Sequence, residues 1–132
     1  MGELVKNEPA GVISILGAKA AGLDLPVPFS REIYLFDTHV AGTSYIENLD
    51  QLEPSLTSSQ KLNFFREPQN PYDSKAIVIR TEEGSKIGYV PRSDNLIFSR
   101  LMDAGKLLFG RITSTEKSGQ WLKIYIKVFL QD

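Results

Sequence analysis

Strict alternation of side-chain type near the C-terminus constrains the fold of this chain more than any other feature. Between Gln120 and Leu130, every second position is aliphatic: Leu122, Ile124, Ile126, Val128 and Leu130. Successive side chains of a β-strand point to opposite faces, so this run predicts a strand with one face in a core. The intervening positions hold Trp121, Lys123, Tyr125, Lys127 and Phe129. This second face is either a platform on which a single nucleic-acid strand stacks, or a surface that packs against a helix or another subunit.

The remaining strand signals indicate an all-antiparallel architecture with little helix. Strands are predicted over residues 32–42, 62–66, 76–81, 86–90 and 107–113, with turns at residues 81–85 and 115–119. One helix is predicted, with Ser93 as its N-cap and Gly105 as its terminator. About six strands with one or two helices predict a mainly β fold with minor α, a small closed or partly open barrel.

Length and terminal composition predict one domain preceded by an arm. A chain of 132 residues is long enough to bury a single core. We expect residues 1–30 to be an N-terminal arm, because a Gly/Ala-rich stretch and two prolines punctuate it before regular patterning begins. This arm is either poorly ordered or packs on a partner, and residues 31–132 form the barrel domain. The arm lacks a basic leader and a stretch that could span a bilayer, so we expect a soluble cytoplasmic protein without membrane association.

Composition argues against most catalytic and metal chemistry. The chain has no cysteine and one histidine, His39, so a metal site would need carboxylates around a single imidazole. No phosphate-binding glycine loop or nucleophile elbow is present. His39 has the chemistry of a general base, and Asp37 lies on the same face of the predicted strand. No candidate nucleophile accompanies this pair. We therefore expect no enzyme activity, no cofactor and no metal.

The charge is uneven although the formal net charge is −1. Residues 1–58 hold three basic residues against eight acids, and residues 59–132 hold twelve basic residues against eight acids. Such asymmetry permits a basic face for a polyanion, but a chain this close to neutrality should not coat DNA without a defined site. Any contact with nucleic acid is expected to be local.

The turn at residues 66–77 is crowded with polar and aromatic side chains and runs into an apolar strand. Asn70 precedes a proline and is pushed toward an extended conformation, and Pro71 presets the turn that follows. Asp73 can accept hydrogen bonds from backbone N–H groups two residues on, which leaves Tyr72 as the outlying side chain. The turn is either purely structural or a display for an aromatic ring that binds a ligand.

Three blocks of sequence together resemble the HIRAN domain. They are residues 66–79, with the pattern REPxNPYDxxAI, residues 86–92 with the pattern GYVPR, and residues 101–105. The resemblance covers roughly residues 33 to 130. HIRAN domains are known as the N-terminal module of DNA-repair translocases that remodel stalled replication forks, and as free-standing bacterial proteins. Membership implies an OB-like barrel that captures the 3′-hydroxyl end of single-stranded DNA.

The resemblance also implies a set of DNA-binding residues. Tyr72 and Tyr45 would stack on bases, and Asp73 would accept a hydrogen bond from the terminal 3′-hydroxyl. Asn70 would read a base edge or cap the turn, while phosphate contacts would come from the strand and helix start. The complete expected site is Tyr45, Asn70, Tyr72, Asp73, Lys86, Tyr89 and Arg92.

This chain departs from the eukaryotic pattern at several positions. Those members tend to have Arg-Tyr-Tyr where this chain has Ser44-Tyr45-Ile46, and histidine where it has Tyr89. Three acids are also expected near the pocket, namely Glu47, Asp50 and Glu53. Each difference weakens attraction to phosphate.

The sequence thus predicts a non-enzymatic module that binds single-stranded DNA at its 3′-hydroxyl end, in DNA repair or damage processing. The alternative is a protein-interaction or oligomerisation adaptor that uses the aromatic and basic face of the C-terminal strand. The two differ in the partner they require, a DNA end or a protein surface.

Overall fold

The computed structural model describes residues 31–132, and the predicted arm at residues 1–30 lies outside the described residues. Six strands and two helices follow one another along this part of the chain. The strands are β1 (Glu32–His39), β2 (Lys61–Arg66), β3 (Ile77–Thr81), β4 (Lys86–Tyr89), β5 (Leu107–Ser118) and β6 (Trp121–Gln131). The helices are α1 (Leu49–Leu52) and α2 (Arg92–Asp103), with short 3₁₀ turns at Thr43–Tyr45 and Glu53–Ser55. The predicted mainly β class is confirmed.

The six strands form one sheet in the order β1-β6-β5-β2-β3-β4, and every neighbouring pair is antiparallel. A single bridge joins the two ends of this sheet, between Ala41 just after β1 and Tyr89 at the end of β4. The N–H of each residue donates to the carbonyl of the other, at 2.7 and 2.9 Å. The sheet is therefore curled into a partly closed barrel, consistent with an OB-like fold.

The alternation of β6 places its aliphatic side chains in the core. Leu122, Ile124, Ile126 and Val128 are at most 3% exposed, and Leu130 packs partly buried against them. β6 lies between β1 and β5, so both of its edges are hydrogen-bonded. Burial of these side chains and of their partners on β2, β3 and β4 provides the main driving force for folding.

The β5–β6 hairpin is longer than the sequence suggested. The turn predicted at residues 115–119 is wrong, because pairing continues to Ser118 opposite Trp121. The loop is reduced to Gly119 and Gln120, and Gly119 has a φ of 64° that glycine adopts without strain. Opposite charges of Glu116 and Lys123 face each other across the two strands, which favours the extended ladder.

Helix α2 begins two residues earlier than the sequence suggested. The prediction of Ser93 as the N-cap is wrong, because Pro91 occupies that position and no side chain caps the helix. The Pro91 carbonyl accepts from the N–H groups of Asp94 and Asn95, at 2.9 and 3.0 Å. The end of the helix agrees with expectation, since Gly105 has a φ of 91°. Between residues 31 and 132, no helix is both long and apolar enough to cross a membrane.

Candidate functional site

A cleft of about 460 Å³ opens where the closing bridge, the polar turn and the start of α2 meet. One wall is the segment after β1, and the opposite wall is the turn between β2 and β3. The lining residues are Ala41, Gly42, Tyr45, Asn70, Pro71, Tyr72, Asp73, Ala76, Tyr89, Val90, Arg92 and Asn95. Six of the seven expected site residues therefore lie around one cleft, and the exception is Lys86.

Two tyrosines project at this cleft almost fully exposed. Tyr72 is 85% exposed and Tyr45 is 88% exposed, whereas most aromatic residues of this domain pack against a neighbour. Tyr45 ends a 3₁₀ turn that is tied to the sheet, because buried Thr43 donates from its hydroxyl to the Leu122 carbonyl at 2.9 Å. Exposed rings on anchored backbone lose little freedom when a ligand covers them.

The turn that displays Tyr72 is held by Asn70. The Asn70 Oδ1 accepts from the N–H groups of Tyr72 and Asp73, at 2.8 and 3.2 Å. Its Nδ2 donates to Glu67 Oε1 at 3.0 Å. Both ends of the amide are therefore engaged inside the protein. The geometry favours the capping role of Asn70 over the reading of a base edge.

Asp73 lies at the inner end of the turn and is surrounded by donors. Its Oδ1 accepts from the N–H of Lys75 at 2.9 Å, as the sequence predicted. Its Oδ2 accepts from Nδ2 of Asn95 at 2.8 Å and lies 3.5 Å from Nε of Arg92. The Lys75 N–H foremost, then the Asn95 amide, hold the pKa of Asp73 below its usual range. The carboxylate therefore stays ionised and acts as an acceptor.

Asn95 is a site residue that sequence reasoning missed. It is only 4% exposed and connects α2 to the turn through Asp73. A signal was present in the sequence, because Asn95 falls on the buried face of α2 three residues before Phe98, where an apolar side chain is usual. A buried amide at such a position implies a specific polar partner.

Tyr89 belongs to a small network that also includes Glu67, which sequence reasoning did not assign. The Tyr89 hydroxyl donates to Glu67 Oε1 at 2.8 Å and accepts from Nζ of Lys86 at 3.0 Å. Nζ of Lys86 also lies 4.6 Å from the centre of the Tyr89 ring. Burial opposes ionisation of Glu67, but hydrogen bonds from Asn70 and Tyr89 outweigh it and lower its pKa.

Lys86 itself faces a neighbouring groove. That groove has a volume of about 490 Å³ and shares Tyr45 with the cleft. Glu47 also lines it, so one of the three expected acids is close to the site. The other two, Asp50 and Glu53, each lie 3.5 Å from Nζ of Lys117, and none of the three acids lines the cleft itself.

Arg92 is the cation of the cleft. It is the first residue of α2, its side chain is 71% exposed, and its guanidinium donates to the Tyr72 carbonyl. Asp94, in the same first turn of α2, accepts from the Thr38 hydroxyl at 2.7 Å. A guanidinium has five N–H donors, so its contacts with Tyr72 and Asp73 leave donors available for a ligand.

Arg66 has a structural role at the base of the same turn. It lies 2.9 Å from Asp103 at the end of α2 and donates to the carbonyls of Ala76 and Ser74, at 2.8 and 3.0 Å. These bonds fix the two ends of the turn to each other and to the helix. Within the part of the chain that the structure describes, no group of three or more acids and histidines is arranged to hold a metal ion.

Comparison with known proteins assigns the family. The model of the HIRAN domain matches residues 33–131. This chain belongs to the HIRAN family. Its fold is similar to that of a Lactobacillus plantarum protein, with 25% identity, a TM-score of 0.72, and coverage of 78% of this chain and 98% of that one. A comparison with curated proteins finds no match.

Two structures of the HIRAN domain of human HLTF share the fold. The crystal structure has 16% identity and a TM-score of 0.60, covering 76% of this chain and 78% of that one. The NMR structure has 15% identity and a TM-score of 0.50, covering 76% and 80%. At this identity the likeness concerns the fold, and the site has to be argued from the residues of this HIRAN domain.

Proposed function

We propose that this HIRAN domain is a non-enzymatic DNA-binding module that captures the 3′-hydroxyl end of a single strand in the cleft between Tyr45 and Tyr72. The observation that carries the proposal is the pair of exposed rings at one cleft, with an ionised carboxylate and an exposed guanidinium beside them. Stacking of a base on an aromatic side chain contributes about 1–3 kcal/mol and tolerates any base. A site of this kind binds single strands with little sequence preference.

Asp73 provides a physical reason for selecting an end. A terminal 3′-hydroxyl can donate to the carboxylate, whose oxygens each retain a lone pair after the bonds from Lys75 and Asn95. An internal nucleotide or a 3′-phosphate has anionic oxygens at that position and no donor. Repulsion between those oxygens and Asp73 therefore disfavours both.

Arg92 supplies the matching contact for the backbone. It lies beside Asp73 at the start of α2, where the first N–H groups of the helix have no partner inside the helix. A phosphate that approaches here meets a cation and the positive end of the helix. Asp73 and Arg92 would thus place the hydroxyl and the preceding phosphate of one terminal nucleotide.

The deciding experiment compares a labelled single strand ending in a 3′-hydroxyl with the same strand ending in a 3′-phosphate, by fluorescence anisotropy at low salt. We expect tighter binding of the hydroxyl end, and loss of this preference in Asp73→Asn. The matched control is Asp37→Asn, which removes the same charge from an exposed position paired with Lys127 and should retain the preference. Equal binding of both ends by the unmodified protein contradicts the role of Asp73, and binding of neither contradicts DNA as the ligand.

A second candidate, the protein-interaction surface, rests on the aromatic and basic face of β6. Trp121 is 50% exposed on this face, and Tyr34 of the neighbouring β1, 51% exposed, packs its ring edge-on against Phe129 and extends the face. Surfaces of this type favour self-association or a protein partner. Sedimentation velocity over a range of concentrations tests self-association, and a constant monomer mass would argue against that form of the adaptor.

A further inference from the structure

The end cleft continues into two further depressions that run toward the outer face of β6. The first has a volume of about 300 Å³ and shares Ala41, Gly42 and Tyr45 with the cleft. The second has a volume of about 200 Å³ and shares His39, Val40 and Trp121 with the first. The three depressions thus form a continuous track from the end cleft to Lys123 and Tyr125, which line the last of them.

From this continuity we propose that the track is a second subsite, which holds the nucleotides on the 5′ side of the captured end. The inference rests on the proposed function, because the track begins at the cleft assigned to the 3′ end. Its residues combine flat rings with a basic side chain, namely Trp121, Tyr125 and Lys123. Stacking rings with a nearby cation are the common means of holding a single strand without reading its sequence.

The Trp121 side chain is held in place on this surface by a hydrogen bond. Its indole is 50% exposed, yet its Nε1 donates to the Thr43 hydroxyl at 3.2 Å. The same hydroxyl donates to the Leu122 carbonyl, and Thr43 begins the 3₁₀ turn that carries Tyr45. One buried threonine therefore links the ring of the track to the ring of the end cleft. The two stacking positions are held on one rigid support.

Lys123 is the cation of the track. Its Nζ lies over the Trp121 ring, 4.7 Å from the ring centre, so the charge is close to any base that stacks on this indole. The track ends near Glu116, whose carboxylate accepts from the Tyr125 hydroxyl at 3.2 Å. Anionic phosphates are disfavoured beyond that point, which limits the subsite to a few nucleotides.

Charge distinguishes this track from the other groove that leaves the cleft at Tyr45. That groove contains Lys86, but it also contains the carboxylate of Glu47. The lining of the two depressions along the track contains no acid and includes His39 and Lys123. A phosphate backbone leaving the end cleft is therefore expected to follow the track over Trp121.

Trp121 is the only tryptophan in the sequence, so its emission reports directly on the track. We would titrate the unmodified protein with a dinucleotide and with a strand of about ten nucleotides, within the range that a single OB fold covers. Both carry a free 3′-hydroxyl, and labelled copies measure occupancy by anisotropy. We expect both to bind, the longer strand roughly tenfold more tightly, and only the longer strand to change the Trp121 emission.

Variants separate the two subsites. Trp121→Ala should remove the roughly tenfold advantage of the longer strand and leave dinucleotide affinity unchanged, while Trp121→Phe should keep most of that advantage. Lys123→Ala should weaken the longer strand alone and make its binding less dependent on salt. The matched control is Lys106→Ala, since Lys106 is exposed and lines none of these depressions. Thermal melting shows whether each variant is folded. If Trp121→Ala does not fold, Lys123→Ala tests the track in its place.

The outcomes are distinct for the two proposals. If the longer strand binds without changing the Trp121 emission and no more tightly than the dinucleotide, the track is wrong. The end cleft is unaffected by that outcome. An equal emission change with the dinucleotide overturns a separate subsite, because Trp121 would then belong to the end cleft. A response to the longer strand without preference for a 3′-hydroxyl supports the track and contradicts end capture. Binding of neither ligand contradicts both.

Discussion

At the residue scale, the site depends on side chains whose polar neighbours set their chemistry. Asp73 is an acceptor because the Lys75 N–H and the Asn95 amide stabilise its ionised form. Tyr72 is available because nothing in the turn covers its ring. These two residues adjoin in the sequence but have opposite roles, since one is fixed by hydrogen bonds and the other is exposed to a ligand.

Substitution of Tyr72 should affect binding without affecting the fold. Its ring is 85% exposed, so Tyr72→Ala should change the free energy of unfolding by less than about 0.5 kcal/mol. Loss of one stacked base should weaken single-strand binding by about five- to hundredfold. Tyr72→Phe keeps the ring and should bind nearly as well as the unmodified protein. Anisotropy and urea unfolding give the two quantities, and unchanged affinity in Tyr72→Ala would exclude its ring from the site.

The lowered pKa of Asp73 predicts a pH-dependent contribution to stability. An unfolded aspartate titrates near 3.9, and the folded-state pKa of Asp73 lies lower. The ionised form therefore stabilises the fold above about pH 5, and this contribution is lost as the pH falls through the folded-state pKa. The melting temperature of Asp73→Asn should lie below that of the unmodified protein at neutral pH, and the gap should close in acid.

Melting curves across the acid range measure this gap. Glu82→Gln is a suitable charge control, because Glu82 is exposed in the turn between β3 and β4. A gap for Asp73→Asn that is the same at every pH would mean that its carboxylate charge is not the stabilising feature.

At the element scale, the closing bridge between the segment after β1 and the end of β4 places the two walls of the cleft. The bridge brings Ala41 against Tyr89, with Tyr45 and Arg92 a few residues further along each chain segment. Such an approach of two backbones needs a position without a side chain. Gly88 provides it, since a Cβ there would lie 2.5 Å from the Ala41 carbonyl oxygen.

Gly88→Ala should therefore open the barrel at the cleft. We expect a loss of about 1–3 kcal/mol in the free energy of unfolding, typical of an overpacked core, together with weaker binding of DNA ends. Gly84→Ala is the matched control, because Gly84 also has a positive φ but has no atom within 4 Å of an added Cβ. Urea unfolding compares the two, and an equal cost would show that backbone conformation, not the close approach, is responsible.

At the scale of the whole molecule, binding should rest on a few local cations. The formal net charge is −1, so long-range attraction to DNA is weak. Each neutralised phosphate of a single strand contributes about −0.7 to the slope of log affinity against log salt. With Arg92 and Lys123 each bound to a phosphate, we expect a slope of about −1 to −2. The slope for Arg92→Ala should be less steep by about 0.7. Anisotropy over a salt series measures it, and an unaltered slope in Arg92→Ala would exclude that phosphate contact.

Much of the candidate site followed from one continuous stretch of sequence. The turn from Asn70 to Asp73 is a local structure, because proline geometry and an Asx hydrogen bond act within a few residues. Its display of Tyr72 was therefore predictable. Asn95 and Glu67 were missed because their roles depend on partners about twenty residues away, which local patterning does not specify.

The sequence by itself determined the strands, the buried face of β6 and the polar turn, since alternation, propensity and turn chemistry are short-range properties of the chain. It also determined the family, through an ordered motif. The family resemblance placed Tyr45 and Tyr72 in one site, but only the tertiary structure decided that Asn95 supports Asp73 and that the cleft continues over Trp121. These relations arise from the closure of the sheet at Ala41 and Tyr89, where burial of a common core joins segments nearly fifty residues apart.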